Sequence, residues 1–143
     1  MAVSSRRVPD PCRGVGRRVP SHVHPEQEER FEVVAGRPAF KASGRSWRAE
    51  PGEQVAVPAG QAHLFRNDTG EDVEMVAEVR PALRTEEVFD ALYRLAREGK
   101  TKGKIGAPGP LDTARLISEY EREFFYLSAI PLRLQKALKV LAR

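Results

Sequence analysis

The chain has 143 residues, of which 41% are hydrophobic and 31% are charged, and its formal net charge is +4. This length is enough for one domain with a hydrophobic core, and it is too short for two domains that each bury a core of their own. Since there is no long apolar run, and no apolar stretch after the N-terminal arginines, we expect neither a membrane span nor a secretory signal. We therefore expect a cytoplasmic protein without membrane association.

The charge is distributed unevenly along the chain. Residues 1–21 carry five arginines against one aspartate, residues 22–83 carry seven basic against eleven acidic groups, and residues 84–143 carry twelve basic against eight acidic groups. A nucleic-acid-binding face needs clustered basic charge, so the acidic middle argues against DNA or RNA as a partner. The single cysteine, Cys12, cannot form an intramolecular disulfide, which agrees with a reducing compartment.

Short β-prone runs separated by turn residues fill the middle of the chain. Six strands are predicted, at residues 30–35, 39–42, 45–50, 53–57, 62–67 and 72–79. Glycine, proline, serine and aspartate interrupt them at close intervals, as is typical of an all-β sandwich or barrel. The last strand alternates, with Val73, Met75, Ala77 and Val79 on one face, which predicts a single buried face.

After Pro81 the spacing of apolar residues becomes helical. Thr85 is predicted to cap a helix that ends at Gly99, and residues 99–110 are predicted to form a loop. A second helix is predicted from a cap at Asp112 to about Leu127, and a third at residues 132–142. We expect the leucine side of the third helix to dock on the barrel or on a partner subunit, rather than to lie on a membrane surface.

The three histidines of the chain lie in two strings punctuated by glycine. The first string has fixed positions at Gly16, His22, His24, Glu29 and Gly36. The second has fixed positions at Gly52, Pro58, Gly60, His63 and Asn67. Glycine permits the positive φ of tight turns, proline stiffens the approach to His63, and Asn67 can donate or accept a hydrogen bond at a turn after that strand.

Four side chains of these strings predict a mononuclear metal site. His22 and His24 are two residues apart, so an extended strand directs both to one face, and His63 and Glu29 can reach the same point from other strands. Three imidazoles and one carboxylate suit one divalent transition metal, which can be iron, manganese, zinc, nickel, cobalt or copper. The ligand types alone do not distinguish among these metals.

The carboxylate ligand has an alternative. Glu28 shares strand parity with the histidines, whereas Glu29 has the six-residue interval to Gly36 and needs only a local bend after His24. We favour Glu29, because strand parity is unreliable across a bend. With Glu29 inward, an apolar pocket around the ion is predicted, lined by Phe31, Val33, Phe65, Met75 and Ala77. For Phe31, Phe65 and Met75, plain core packing is as good an interpretation.

The two strings, in this order, resemble the paired motifs of the cupin superfamily. Residues 19–81, with the words HVHPEQEERFEVVAG and PGEQVAVPAGQAHLFRN, resemble the conserved barrel of small single-domain bacterial cupins, and the helical tail resembles that of a group of them. The resemblance implies an all-β, jelly-roll double-stranded β-helix barrel with the ion near its middle and a C-terminal α-helical extension. It also implies a homodimer in many cases.

This resemblance leads to a division of the chain into three parts. We expect a basic N-terminal segment at 1–21, the cupin barrel at 22–83 and the helical extension at 84–143. Only 21 residues precede His22, fewer than such barrels usually have there. We therefore hypothesise that the N-terminal segment forms an edge strand, or a strand exchanged between the subunits of a dimer.

The expected function is a metal-dependent enzyme acting on a small organic substrate. A dioxygenase, hence an oxidoreductase, and an isomerase or cyclase acting through an enolate-like intermediate are both consistent with the ligand set. The alternative is a non-catalytic protein that binds or senses a small molecule, with the metal as an anchor or a structural element. No second acid, base or nucleophile stands out in the sequence.

Overall fold

The computed structural model describes residues 17–18, 21–102, 107–123 and 126–127. The predicted helix at 132–142 and most of the N-terminal segment 1–21 lie outside the described residues. In chain order the elements are β1 (Arg17–Arg18), β2 (His22–Val23), β3 (Glu28–Ala35), β4 (Ala39–Ala42), β5 (Arg45–Arg48), β6 (Gln54–Val57), β7 (His63–Asn67), β8 (Glu74–Arg80), α1 (Thr85–Arg97), β9 (Thr101–Lys102), β10 (Ala107–Pro108), α2 (Pro110–Glu119) and β11 (Tyr126–Leu127).

Two antiparallel sheets hold most of the strands. One sheet has the order β11-β2-β7-β4-β5, with β1 also paired to β7, and the other has the order β6-β3-β8. β9 and β10 form a separate short pair. All six predicted strands occur as β3 to β8, with ends that differ by only a few residues, and the prediction of a largely β fold with a helical extension is confirmed.

The core of the β region lies between the two sheets. It contains buried apolar side chains from both of them, and these are Phe31, Val33, Phe40, Ala49, Val55 and Val57. Along β3 every second residue is buried and its neighbours are exposed, the period-two pattern of a strand with one covered face. Phe31 packs against Phe40 and Phe65 with ring centroids 5.3 Å away in both cases.

Gly36 ends β3 at a place where no side chain fits. Its φ is +76°, and a Cβ atom at this position would lie 2.5 Å from the carbonyl oxygen of Asp72 and 2.9 Å from Cα of Val73. Both atoms belong to the backbone, so no side-chain rotation can relieve the clash. The glycine is therefore required by close backbone approach as well as by conformation.

The two helices build a second, smaller core. It consists of Val88, Ala91 and Leu95 from α1, Leu116 and Ile117 from α2, and the following Tyr120. The end of α1 is a Schellman motif, because Gly99 N–H donates to Ala96 O and Lys100 N–H donates to Leu95 O. The predicted helix end at Gly99 is thus correct within two residues.

Three details of the helix predictions are wrong. The N-cap of α1 is Arg84, and Thr85 is its first residue, with its hydroxyl engaged by a barrel side chain. The N-cap of α2 is Gly109, because Pro110 has the φ that suits a first helical position, so Asp112 lies inside the first turn. α2 ends at Glu119, and the chain reaches β11 where the prediction continued the helix. Among the described residues, neither helix is long and apolar enough to cross a bilayer.

Candidate metal centre

Three elements from both sheets bring four polar side chains together. His22 lies on β2 and pairs directly with His63 on β7, while His24 follows β2 at once. Glu29 lies on β3 in the other sheet and faces them across the interior. All four are almost completely removed from solvent, with exposed fractions of 2% to 9%.

The four side chains converge on a single point. Oε2 of Glu29 lies 2.8 Å from Nε2 of His63, 3.2 Å from Nε2 of His24 and 4.0 Å from Nε2 of His22. One donor atom from each residue lies within 4.8 Å of all the others. Among the described residues, these histidines and Glu29 are the group that can hold a metal ion.

The types of donor atom and the distances between them fit a single ion. Imidazole nitrogen and carboxylate oxygen bind divalent transition metals at about 2.1 Å, which places neighbouring donors roughly 3 Å apart and opposite donors roughly 4 Å apart. The separations measured from Glu29 are of this size. Burying four such groups together would otherwise be costly, because buried ionisable groups need partners.

The structure brings Glu29, and not Glu28, to the histidines. Glu28 precedes it on β3, and neighbouring residues of a strand point to opposite faces. The Glu28 carboxylate instead accepts a hydrogen bond from Nε of Arg30 on the outer face. The chain bends at Pro25 and Glu26, which is the local bend that the prediction required.

Backbone contacts orient the histidines. The carbonyl oxygen of Gln61 lies 3.2 Å from Nδ1 of His63, and because a carbonyl can only accept, Nδ1 must donate. The other ring nitrogen, Nε2, faces Glu29 and is the atom that would bind an ion. The N–H of Gly60 donates to the carbonyl oxygen of His24 at 2.8 Å and so joins the two motifs.

Electrostatics keep the carboxylate of Glu29 ionised. Burial raises the pKa of Glu29, but hydrogen bonds with His24 and His63, together with the charges of His24 and His22, outweigh this effect and lower the pKa to about 2. Glu29 is therefore an anionic donor at neutral pH. One negative and three nitrogen donors make the site suited to a cation.

The predicted pocket residues belong to the barrel core. Phe31 and Val33 are 2% and 1% exposed and form part of the main apolar cluster. Phe65, Met75 and Ala77 are half-buried and pack against it. Phe31 also packs next to the histidine cluster, because its ring centroid lies 6.2 Å from that of His63. Their role in lining a ligand pocket stays a prediction.

A cavity of about 380 Å³ lies elsewhere, between α1 and α2. Its walls carry several charged side chains, among them Arg94, Glu98 and Arg115, and none of the predicted site residues. None of the three histidines lines it, so we assign it no part in the chemistry of the site.

Two residues around the site were not found by sequence reasoning. Gln27, between His24 and Glu29, is 1% exposed and hydrogen-bonds away from the cluster, and Gln61 contributes a backbone carbonyl. No residue-type signal marks either of them, since glutamine is common on surfaces. Asn67 was expected to bond at a turn, and it does so through Nδ2 to Glu71 O and through Oδ1 with Thr69.

Comparison with known proteins gives a family match over the β region. Residues 14–78 match the family model of the cupin domain. Among curated proteins, the chain is similar to "Polyketide synthase CurC" of Streptomyces cyaneus, with 32% identity over 66 residues, which are 46% of this chain and 43% of that protein. The matched stretch thus spans less than half of the length of that relative.

Solved structures similar to this chain come from several bacteria. A predicted oxalate decarboxylase from Thermotoga maritima is 23% identical, with a TM-score of 0.44, and the match covers 46% of this chain and 57% of that chain. The DMSP lyase DddQ from Ruegeria pomeroyi is 30% identical, with a TM-score of 0.40, over 46% of this chain and 32% of that chain.

Proposed function

The chain contains a small cupin domain, matched at residues 14–78, and from this premise we propose that it is a metal-dependent enzyme that acts on a small organic compound with an enolisable carbonyl group. The observation that carries the proposal is the buried cluster of His22, His24, Glu29 and His63, whose donor atoms lie within 4.8 Å of one another. In this proposal the four residues hold one divalent transition metal.

The charge balance of the cluster favours an oxyanion. A divalent ion and one carboxylate leave a net charge of +1 in an interior whose other side chains are mostly apolar. When bound, the ion supplies Lewis acidity to a substrate oxygen. The low pKa of Glu29 makes it a better ligand than proton acceptor, so the three histidines and Glu29 serve mainly to hold and orient.

The name of the curated relative supports the substrate class. A polyketide chain carries carbonyl groups separated by one carbon, and the C–H bonds of that carbon lose a proton readily to give an enolate. With 32% identity to a protein named as a polyketide synthase, this chain is a candidate for chemistry on such a compound. An isomerase or cyclase then fits better than a dioxygenase.

A simple 1,3-diketone such as 2,4-pentanedione tests this proposal. Its enolate absorbs in the ultraviolet, so binding and turnover can be followed in metal-loaded protein, in metal-free protein and in His63→Ala. We expect a spectral change that needs both the metal and His63. Turnover of the same size in metal-free protein would contradict the proposal.

Oxygen consumption separates the two enzyme classes in the same experiment. Uptake of dioxygen with loss of the diketone assigns a dioxygenase, whereas faster interconversion of its keto and enol forms without oxygen uptake assigns the enolate chemistry of an isomerase or cyclase. Iron, manganese or copper in the purified protein would favour the first class, and zinc the second.

One observation favours a non-catalytic binding protein as the second candidate. Besides the cluster, the buried polar residues in the described part of the chain are Gln27, Asn67 and Glu123, and each bonds to a segment outside the cluster. No second acid or base therefore stands beside the metal donors in this set. Diketone binding without any turnover, across the metals tried, would favour this candidate.

A homodimer is part of the same proposal. In the described structure β5 has one paired neighbour in its sheet, and Trp47 on that strand is 37% exposed, which leaves an edge for a second copy. Residues 17–18 pair with β7 of their own chain, and strand exchange by the segment before them stays a hypothesis. Light scattering on the purified protein measures the mass directly.

A further inference from the structure

Gln27 occupies the short loop between two of the proposed metal ligands, His24 and Glu29. Its side chain is buried, with 1% exposed. The amide nitrogen Nε2 donates toward three oxygen atoms, which are Pro81 O at 2.8 Å, Ala82 O at 3.1 Å and Thr85 Oγ1 at 2.7 Å. Because two of these atoms are backbone carbonyls, which only accept, the orientation of the amide is fixed.

The three acceptors lie where the barrel ends and the helical extension begins. Pro81 and Ala82 follow β8 directly, and Thr85 is the first residue of α1. Gln27 thus joins residues 54 to 58 positions away in the chain. Among the described residues, an exposed ion pair between Glu26 and Arg122 also connects this loop to the extension, and exposed ion pairs contribute little to stability.

The junction is also fixed to the end of α2. The backbone N–H of Arg84 donates to Oε1 of Glu123 at 3.2 Å, and the Glu123 side chain is buried. The guanidinium of Arg84 lies 4.6 Å from the centre of the Tyr120 ring. A shift of the junction would therefore disturb both helices and would pull on the loop that carries Gln27.

We propose that Gln27 is a positioning residue that couples metal binding at the histidine cluster to docking of the helical extension. It acts by holding the His24–Glu29 loop against the start of α1. The inference rests on the proposed metal site. Coupling between two events is reciprocal, so the metal should steady α1 and α2 as much as the docked helices raise metal affinity.

Metal titration of Gln27→Met tests the first half of this coupling. Methionine has nearly the same length and volume but cannot donate to the three oxygens, so the loop loses its attachment without a large cavity. With zinc or cobalt as the probe, we expect about tenfold weaker binding than in the wild type, at the low end of the effect of residues that orient ligands.

The matched control is Gln54→Met. Gln54 is an exposed glutamine on β6, in the sheet that carries Glu29, and its substitution should leave metal affinity within twofold of the wild type. Unchanged affinity in Gln27→Met would overturn the coupling through Gln27. Absence of metal binding in the wild type itself would overturn the proposed function together with this inference.

Amide hydrogen exchange tests the other half and separates coupling from a purely structural role. Metal should increase the protection of amides in α1 and α2 of the wild type, and this increase should be largely lost in Gln27→Met. A merely structural glutamine would lower protection equally with and without metal. An increase of the same size in both proteins would therefore contradict the proposal.

If Gln27→Met does not fold, Thr85→Val provides a milder test. Valine keeps the shape of threonine and removes one of the three acceptors. We expect affinity for the same metal to fall two- to threefold and the protection of the helices by metal to weaken. Metal affinity and metal-induced protection equal to those of the wild type would overturn the proposal.

Discussion

Oε2 of Glu29 and Nε2 of His63 lie 2.8 Å apart, although the residues are 34 positions apart in the chain and belong to different sheets. The cluster is therefore complete only when the two sheets are packed on each other. A metal that binds the four donors binds the folded chain and not the unfolded one, so its binding free energy adds to the stability of the fold.

Metal should raise the thermal stability of the wild type. At a free metal concentration 100 times the Kd, the free energy of unfolding increases by about 2.7 kcal/mol for one site. Thermal unfolding with and without zinc measures this gain. His63→Ala should show little or no gain, because it removes the donor nearest to Glu29, whereas the exposed Lys41→Ala on the neighbouring β4 should keep it. An equal gain in His63→Ala would contradict the assignment.

The two neighbouring glutamates should differ sharply as ligands. Glu29→Gln removes the anionic donor of the cluster, and we expect metal affinity to fall by at least tenfold. Glu28→Gln changes an outer-face side chain paired with Arg30 and should leave the affinity unchanged. Calorimetric titration of both variants decides between them, and a larger loss in Glu28→Gln would reverse the assignment.

The stability of the metal-free protein should depend on Glu29 in a defined pH window. The pKa of Glu29 is lowered from 4.5 to about 2 in the fold, so its ionised form stabilises the folded state fully above pH 4.5, and this contribution is lost as pH falls toward 2. The difference in unfolding free energy between wild type and Glu29→Gln should shrink over this window by up to about 3 kcal/mol.

Urea unfolding at several pH values between 5 and 3 covers the measurable part of that window. Glu28→Gln, measured beside it, corrects for the loss of one charge at a neighbouring position. A difference between wild type and Glu29→Gln that stays constant, or grows as the pH falls, would contradict the lowered pKa of Glu29.

Gly36→Ala should be much more harmful than Gly44→Ala. Both glycines have positive φ, +76° and +73°, but a Cβ at Gly36 would meet backbone atoms at 2.5 and 2.9 Å, and one at Gly44 has nothing within 4 Å. We expect a loss of about 1 kcal/mol at Gly44 from backbone conformation alone and at least about 3 kcal/mol at Gly36. Chemical denaturation measures both, and equal losses would refute the close approach at Gly36.

Phe31→Ala should destabilise the barrel by about 3 to 5 kcal/mol. The side chain is 2% exposed and packs between the sheets, so its removal combines lost burial with a cavity. Trp47→Ala is the control, since that ring is larger but 37% exposed on β5 and should cost clearly less. A smaller effect for Phe31 than for Trp47 would show that the ring lies at a pocket wall and not in tight packing.

The strands, and the four residues that the structure brings together at the candidate metal centre, could be predicted because their signals are local. Short β-prone runs bounded by turn glycines such as Gly36 and Gly44 define the strand ends to within a few residues. The spacing from Glu29 to Gly36 likewise identified the glutamate that meets the histidines. Each of these signals depends on backbone geometry within a few residues.

The helix caps and the contacts of Gln27 could not be predicted, because they depend on segments that are distant in sequence. Thr85 has the residue type of a cap, but Gln27 engages its hydroxyl and Arg84 takes the cap position. The helical pattern after Asp112 continues beyond Glu119, yet the chain turns there, with Tyr120 packed in the helical core and Glu123 bonded to Arg84. Tertiary packing overrides local preference at such positions.

X-ray absorption spectroscopy of the metal-loaded protein tests the central claim most directly, because it counts the imidazole rings bound to the ion. The arrangement of His22, His24, Glu29 and His63 predicts three imidazole nitrogens and at least one oxygen at about 2.0 to 2.2 Å. A spectrum with oxygen ligands alone, or with no more than one imidazole, would contradict the metal centre.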